Sequence, residues 1–440
     1  MYPRGYNLPM RRWLVGLVAS AAVALPAYAA APEAVQRGEQ LFFEHSFGPT
    51  ASSVPMAVFQ ALQHQDARFR PEALGERYGL LFKPGRDLPI GFVGAPALGV
   101  ERLSFNCSLC HTGQAAGKVV PGMANTRLRM QEFEEDLMDA LKHDVEVSGT
   151  STYETAQIKL WLLLARRQAE GFKPSPHRAG PGRFDLLQTF KKRLGLPPHG
   201  FNAQMDIPAL FGARMLKRYP RDGALGGDQD LVRYLIVRLS GDNSPLKGGK
   251  VPAWVTDLNA YLASLEPPAN PYPVDRVRAA EGHKVFRNTC APCHGVYEPY
   301  ELSHPNRIIP QAVVGTDPQR VQVWDAASIA FVRRDPLISQ LDLQPGVGLL
   351  PPSLRGVWAT PPYLHNGSVP TLYDVLSDPG KRPATFRRGP NYDPVKVGLT
   401  GDEGFLYDTR IPGNGNMGHP FGVPLSERER LAVVEYLKTL

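Results

Sequence analysis

The chain has 440 residues, 43% of them apolar and 21% charged, with 43 prolines and 42 glycines. That length allows two or three domains, and a proline share about twice the usual ~5% calls for many turns and irregular connections. The 49 basic residues nearly match the 42 acidic ones and form no dense basic run, which gives no basis for a nucleic-acid partner.

The first segment reads as an export signal spanning residues 1–29: Arg11 and Arg12 precede an uncharged apolar run, Trp13 to Leu25, and Ala27-Tyr28-Ala29 offers small residues at a cleavage site. Met10 is an alternative start. The run is shorter than the ~20 residues a membrane span needs, and no later stretch is long and apolar enough. A soluble mature protein beginning near Ala30, periplasmic or secreted, is the expectation. Loss of Arg4, Arg11 and Arg12 takes 49 basic residues to 46 against 42 acidic, a net charge of +4.

The next segment, 30–266, opens with Gly38-Glu-Gln-Leu-Phe42 and reaches Cys107-Ser-Leu-Cys110-His111 only 65 positions after Phe42, which marks a long insertion. Beyond it, Met130, Phe133, Leu137 and Leu141 mark one helix face, and Tyr153 to Phe172 reads as another helix. These pieces either wall off the cysteine motif or simply enlarge the core. Trp254, Leu258, Tyr261 and Leu262 close the segment on a helix face. A proline-rich linker follows at 267–274.

Residues 275–440 repeat the scheme in compact form. Gly282-His-Lys-Val-Phe286 matches Gly38 to Phe42, and Cys290-Ala-Pro-Cys293-His294 begins four residues after Phe286. The last helix has Ser426 and Glu429 as a capping box and Leu431, Val434 and Leu437 on one face. In each half a glycine-bearing helix is expected to cross an aromatic-bearing one, because glycine lets two backbones approach.

The two C-x-x-C-H pentapeptides use every cysteine in the chain. This is the pattern of covalent haem attachment. Two thiols one helical turn apart reach two vinyl groups, and the adjoining imidazole meets the iron. A thioredoxin-like pair would want a strand before the motif and a helix after it, and a zinc site is awkward with each His abutting its Cys. Cys107, Cys110, Cys290 and Cys293 are therefore expected to carry two c-type haems, with His111 and His294 as iron ligands. The fold class expected is mainly α: two cytochrome c-like haem domains with long irregular loops and helical insertions.

Several strings resemble the di-haem family that contains the bacterial rubber oxygenases: Leu88-Pro-Ile-Gly-Phe92, Asn106 to Gly113, Val120 to Thr126, Gly182-Arg-Phe-Asp185, Asp206-Ile-Pro-Ala-Leu210 and Gly418-His-Pro-Phe-Gly422. Thr360 to Tyr373 is similar to a motif shared more widely with di-haem cytochrome c peroxidases. The Trp-Asp-Gly-Arg string usual in the peroxidase branch is absent. The chain departs from the rubber-oxygenase pattern in being shorter and in carrying Tyr219 where a Trp is usual.

For the second haem the residues leave His419, Met417 and His365 open as partners to His294, and the resemblance favours His419. For the first haem, His143, His177, His199, Met123 and Met205 lie in the right half, and none stands out, which agrees with an open iron face. Arg183 and Asp185 either anchor haem propionates or order a loop. The resemblance implies an oxidoreductase whose first haem activates dioxygen or peroxide while the second handles electrons, acting on a small or hydrocarbon substrate with an electron-transfer protein as partner. The alternatives are a di-haem peroxidase and a non-enzymatic electron-transfer cytochrome.

Overall fold

The computed structural model describes residues 31–440 apart from 47, 49–52, 174, 220, 241–249 and 299–300; the expected export signal lies outside them. Two helix crossings organise the fold. Pro32–Glu44 starts on a proline, whose missing N–H costs nothing at a helix N-terminus. It packs against Trp254–Ser264: Gly38 lies on the Asp257 carbonyl, and its missing Cβ would sit 2.6 Å from the Tyr261 Cβ. Phe42 and Tyr261 meet at 5.3 Å between ring centres, and Arg37 pairs with Asp257 at 2.8 Å.

The second crossing joins Arg276–Thr289, capped by the Asp275 carboxylate, to Glu427–Leu437, which opens on the reciprocal capping box of Ser426 and Glu429. Here Gly282 lies on the Ala432 carbonyl with no room for a Cβ. Gly282→Val is expected to lower stability by about 1–3 kcal/mol or more, the usual cost of overpacking. A denaturant midpoint equal to that of the parent would show that the crossing tolerates separation.

The fold class is not mainly α. The described structure is 41% helix and 14% strand, a mixed α/β arrangement of 15 helices and many small sheets. Seven sheets have two strands and one has three. The strands lie where the sequence is rich in proline and glycine. Such connections cannot continue a helix, yet their backbone groups still need partners, so they close into short antiparallel ladders. Examples are Phe92–Ala97 with Val100–Phe105 and Thr385–Arg388 with Phe405–Asp408.

Three clusters of buried side chains make up most of the interior. One unites both crossings and holds Phe42, Tyr261, Phe286, Val433 and Leu437 together with Trp358 and Tyr363. The insertion before Cys107 builds a second around Phe59, Phe69, Tyr78, Phe133 and Trp161, and Leu109 of the first cysteine motif is part of it. The insertion thus enlarges the core and at the same time backs onto the motif. A third cluster joins Leu187 and Phe190 to Trp324, Ile338 and Leu343. Among the described residues no helix is long and apolar enough to cross a membrane.

Candidate functional site

Both C-x-x-C-H motifs line one cavity of about 580 Å³. They are presented differently. Cys107–Cys110 is an isolated turn between the strands Val100–Phe105 and Thr112–Ala115. Asn106 caps it, accepting from the Ser108 amide and donating to the Phe43 carbonyl at 2.7 Å, which ties the turn to the end of the Gly38 helix. Cys290 instead continues directly from Arg276–Thr289, and Gly295, at φ 87, ends the turn. The strand before Cys107 is the context a redox dithiol would want, but no helix follows. All four cysteines are unpaired. Burial pushes Cys107 up to about 11 and Cys110 and Cys290 up to about 12, so these are not the low-pKa thiolates of redox catalysis.

The two imidazoles are oriented alike. His111 Nδ1 lies 3.0 Å from the Pro208 carbonyl and His294 Nδ1 3.2 Å from the Pro352 carbonyl. A carbonyl only accepts, so Nδ1–H donates and Nε2 keeps its lone pair, as in histidines that bind metals. Burial lowers His111 to about 4 and His294 to about 3, the latter helped by His419. Both rings are neutral at physiological pH, the form that ligates.

The strings around the first motif form its belt. Gly122 donates to the His111 carbonyl at 2.7 Å, and its own carbonyl accepts from Leu210 at 2.7 Å. Asp206, two residues before Pro208, pairs with Arg388 at 2.7 Å.

Opposite His294 stands His419, with ring centroids 6.3 Å apart and planes at 59°. Two metal–imidazole bonds of about 2.0 Å, with about 1.1 Å from each nitrogen to its ring centre, give roughly 6.2 Å across a single metal. The pair therefore fits one iron. Its loop is held by Arg382, whose guanidinium donates to the carbonyls of Asp374, Val375, Asn416, Gly418 and His419 at 2.6–3.4 Å. The His419 amide donates to the Val314 carbonyl at 2.6 Å. His419 itself adopts the left-handed conformation, at φ 49, which non-glycine residues seldom do without a reason in the surroundings. Burial, reinforced by the Arg382 charge, lowers it to about 4. Met417 is 56% exposed. His365 lines the cavity but makes no ring contact with His294 among the described residues.

His111 has no second imidazole against its ring among the described residues. The cavity that it lines also holds Met130, Phe184, Leu187, Phe190, Met205 and Ile207, together with Arg233. Of the other first-half histidines, His199 pairs with Asp185 at 2.8 Å and His143 is exposed. His177 joins a local turn with Ser175. Met123 is core, and Met205 alone of the five candidates reaches the cavity. Arg183 donates to Ala179, Gln204 and Asn414 and so orders loops, while Asp185 caps Leu186–Arg193. Sequence reasoning missed Arg382, Pro208 and Pro352. The string 206–210 hinted at Pro208 alone.

A RoxA-like, cytochrome c-like family model matches residues 348–387, the stretch holding Pro352, His365 and Arg382. The uncharacterized protein y4iJ of Sinorhizobium fredii (strain NBRC 101917 / NGR234) is 50% identical over 100 residues, covering 20% of this chain and only 17% of that protein's length. The uncharacterized protein y4iM of the same strain is 30% identical over 352 residues, covering 66% of this chain and 78% of its own. By that likeness over most of its length the chain belongs to the family of y4iM, and through its segment 348–387 it is linked to the RoxA-like cytochromes c.

Proposed function

We propose that the protein is an exported di-haem c-type cytochrome oxidoreductase, built as two haem domains, 30–266 and 275–440, joined by the linker 267–274. Cys107 and Cys110 would hold one haem with His111 beneath its iron, and Cys290 and Cys293 the other with His294 and His419 on its two sides. The observation that carries the reading is the contrast between the two rings: His294 faces a second imidazole at 6.3 Å, whereas among the described residues no imidazole stands against the His111 ring. An iron held on both faces exchanges electrons, and one with a free face also binds dioxygen or peroxide.

The residues around His111 serve the second role. The Pro208 carbonyl fixes the ring, and Phe184, Phe190, Leu187 and Ile207 exclude water and favour an apolar substrate, to which they offer few hydrogen bonds. The His294–His419 pair, clamped by Arg382, resists rearrangement when its charge changes. An electron-transfer protein outside the cell's cytoplasm is the partner this scheme needs.

Met205 supports a second reading. A thioether in the same cavity would close the first iron and leave a pure carrier. Cyanide titration of the ferric protein followed by electron paramagnetic resonance separates the two. The oxidoreductase reading expects one low-spin haem indifferent to cyanide and one that binds it. Two indifferent haems would leave the carrier.

A further inference from the structure

The cavity lining is mostly apolar, and one group of its polar side chains lies beside the His294–His419 pair. There Thr316 Oγ1, His365 Nδ1 and Arg221 Nε are enclosed and, among the described residues, without a hydrogen-bond partner. Thr316 and His365 are 4% and 6% exposed. Arg320, 1% exposed, lies behind them 3.1 Å from Asp222, yet none of its guanidinium nitrogens makes a directed hydrogen bond.

These groups belong to a buried charged layer. The buried Arg183, Arg320 and Arg388 and the half-buried Arg221 stand against Asp206 and Asp222, and Asp206 is engaged by Arg388. The rim carboxylate of Asp317 is occupied by the amides of Gly413 and Gly415. Positive charge is therefore in excess, and His365 adds no negative charge to offset it: burial and the Arg320, Arg221 and Arg183 charges keep its ring neutral, lowered to about 3. Orphaned buried donors cost about 1–3 kcal/mol each, more when charged, and a chain does not accumulate several in one place without a ligand to satisfy them.

The location identifies the ligand class. Thr316 follows Gly315, on whose backbone Gly418 of the His419 loop is packed without room for a Cβ. Arg221 and His365 line the same cavity as His294 and His419. The corner thus borders the space between the two imidazoles. Haem is an apolar ring with two carboxylates on one edge, and it needs an apolar slot ending in cationic donors.

Resting on the di-haem reading above, we propose that Arg221, Thr316 and His365, backed by Arg320, form the carboxylate-binding site for the propionates of the second haem. The Arg221 guanidinium binds a carboxylate as a fork. Thr316 and His365 add single hydrogen bonds, and Arg320 adds charge. The positive layer then favours the reduced, less positive iron and raises its potential.

The test uses the full-length protein matured with haem and compares Arg221→Gln, Arg221→Lys and Thr316→Val with the parent. Mass of the denatured chain counts attached haems, potentiometry reads each haem separately, and resonance Raman reads the propionate bending bands. In Arg221→Gln the potential of the low-spin haem is expected to fall while that of the other haem stays. Arg221→Lys, which keeps the charge and the fold but not the fork, is expected to hold the potential near the parent value and still shift the bending bands. Thr316→Val is expected to shift the bands without loss of charge. Unchanged bands in both of these conservative variants, with two haems attached, would overturn the assignment. So would a parent potential that follows added acetate or inorganic phosphate, since the corner would then hold a free anion. A parent with fewer than two haems by mass would defeat the di-haem reading itself, and this proposal with it.

Discussion

His419→Ala is expected to convert the low-spin haem of the ferric protein to a form that is high-spin and binds cyanide and free imidazole. Two haems stay covalently attached, because the thioether cysteines are untouched. The reason is that removing the ring leaves the loop in place. Arg382 binds five backbone carbonyls around it, and none of these bonds uses the His419 side chain. The space left by the ring lies 6.3 Å from the centre of His294, the right distance for an added imidazole to restore the original spectrum. About half of the total haem should change, since only one of two irons loses a ligand. Electron paramagnetic resonance before and after added imidazole reads the result. An unaltered low-spin signal would remove His419 from the ligand set and reopen the choice among the other side chains.

The double variant Cys290→Ser with Cys293→Ser carries the second large effect. It is expected to lose one haem by mass and to lose the low-spin signal while the cyanide-reactive one remains. Cys107→Ser with Cys110→Ser should do the reverse, which assigns each spectrum to its motif. Stability should fall too. The cavity wall shared by both crossings includes Phe286, Leu262, Val433 and Leu437, and without the macrocycle these side chains face a void. Truncating one large aromatic in a core costs about 3–5 kcal/mol, and an absent porphyrin removes more contact than that, so a loss above ~5 kcal/mol is expected. Thermal denaturation followed by far-ultraviolet circular dichroism measures it. Retention of both haems in either double variant would defeat attachment at those thiols.

How much of this was legible beforehand varied with the range of the interaction. The capping box of Ser426 and Glu429 and the helix bearing Phe133 and Leu137 rest on residues within a few turns of each other, while the Gly38 and Gly282 crossings join distant segments that a repeated glycine and aromatic pattern marks, and the structure has them all. The fold class was misjudged because strands of two to six residues, such as Arg183–Phe184 paired with Met205–Asp206, show no alternation long enough to recognise. Arg382 was invisible because its partners are backbone carbonyls, which carry no signature of residue type. The layer of Arg221 and Arg320 behind His365 was invisible for a different reason. Charged residues are usually solvated, and nothing local marks the exceptions.

The amino-acid order by itself determined the two thiol pairs and the imidazole beside each, because five consecutive residues on one helical turn are enough to specify that chemistry. Which side chain meets each imidazole from across the cavity was decided only by the tertiary structure. His294 and His419 come together through the Arg276–Thr289 crossing, the Arg382 clamp and the Val314 hydrogen bond, while among the described residues no imidazole is brought against the His111 ring. Contacts between segments far apart in the chain depend on how the whole core packs, and spacing along the chain carries no record of that.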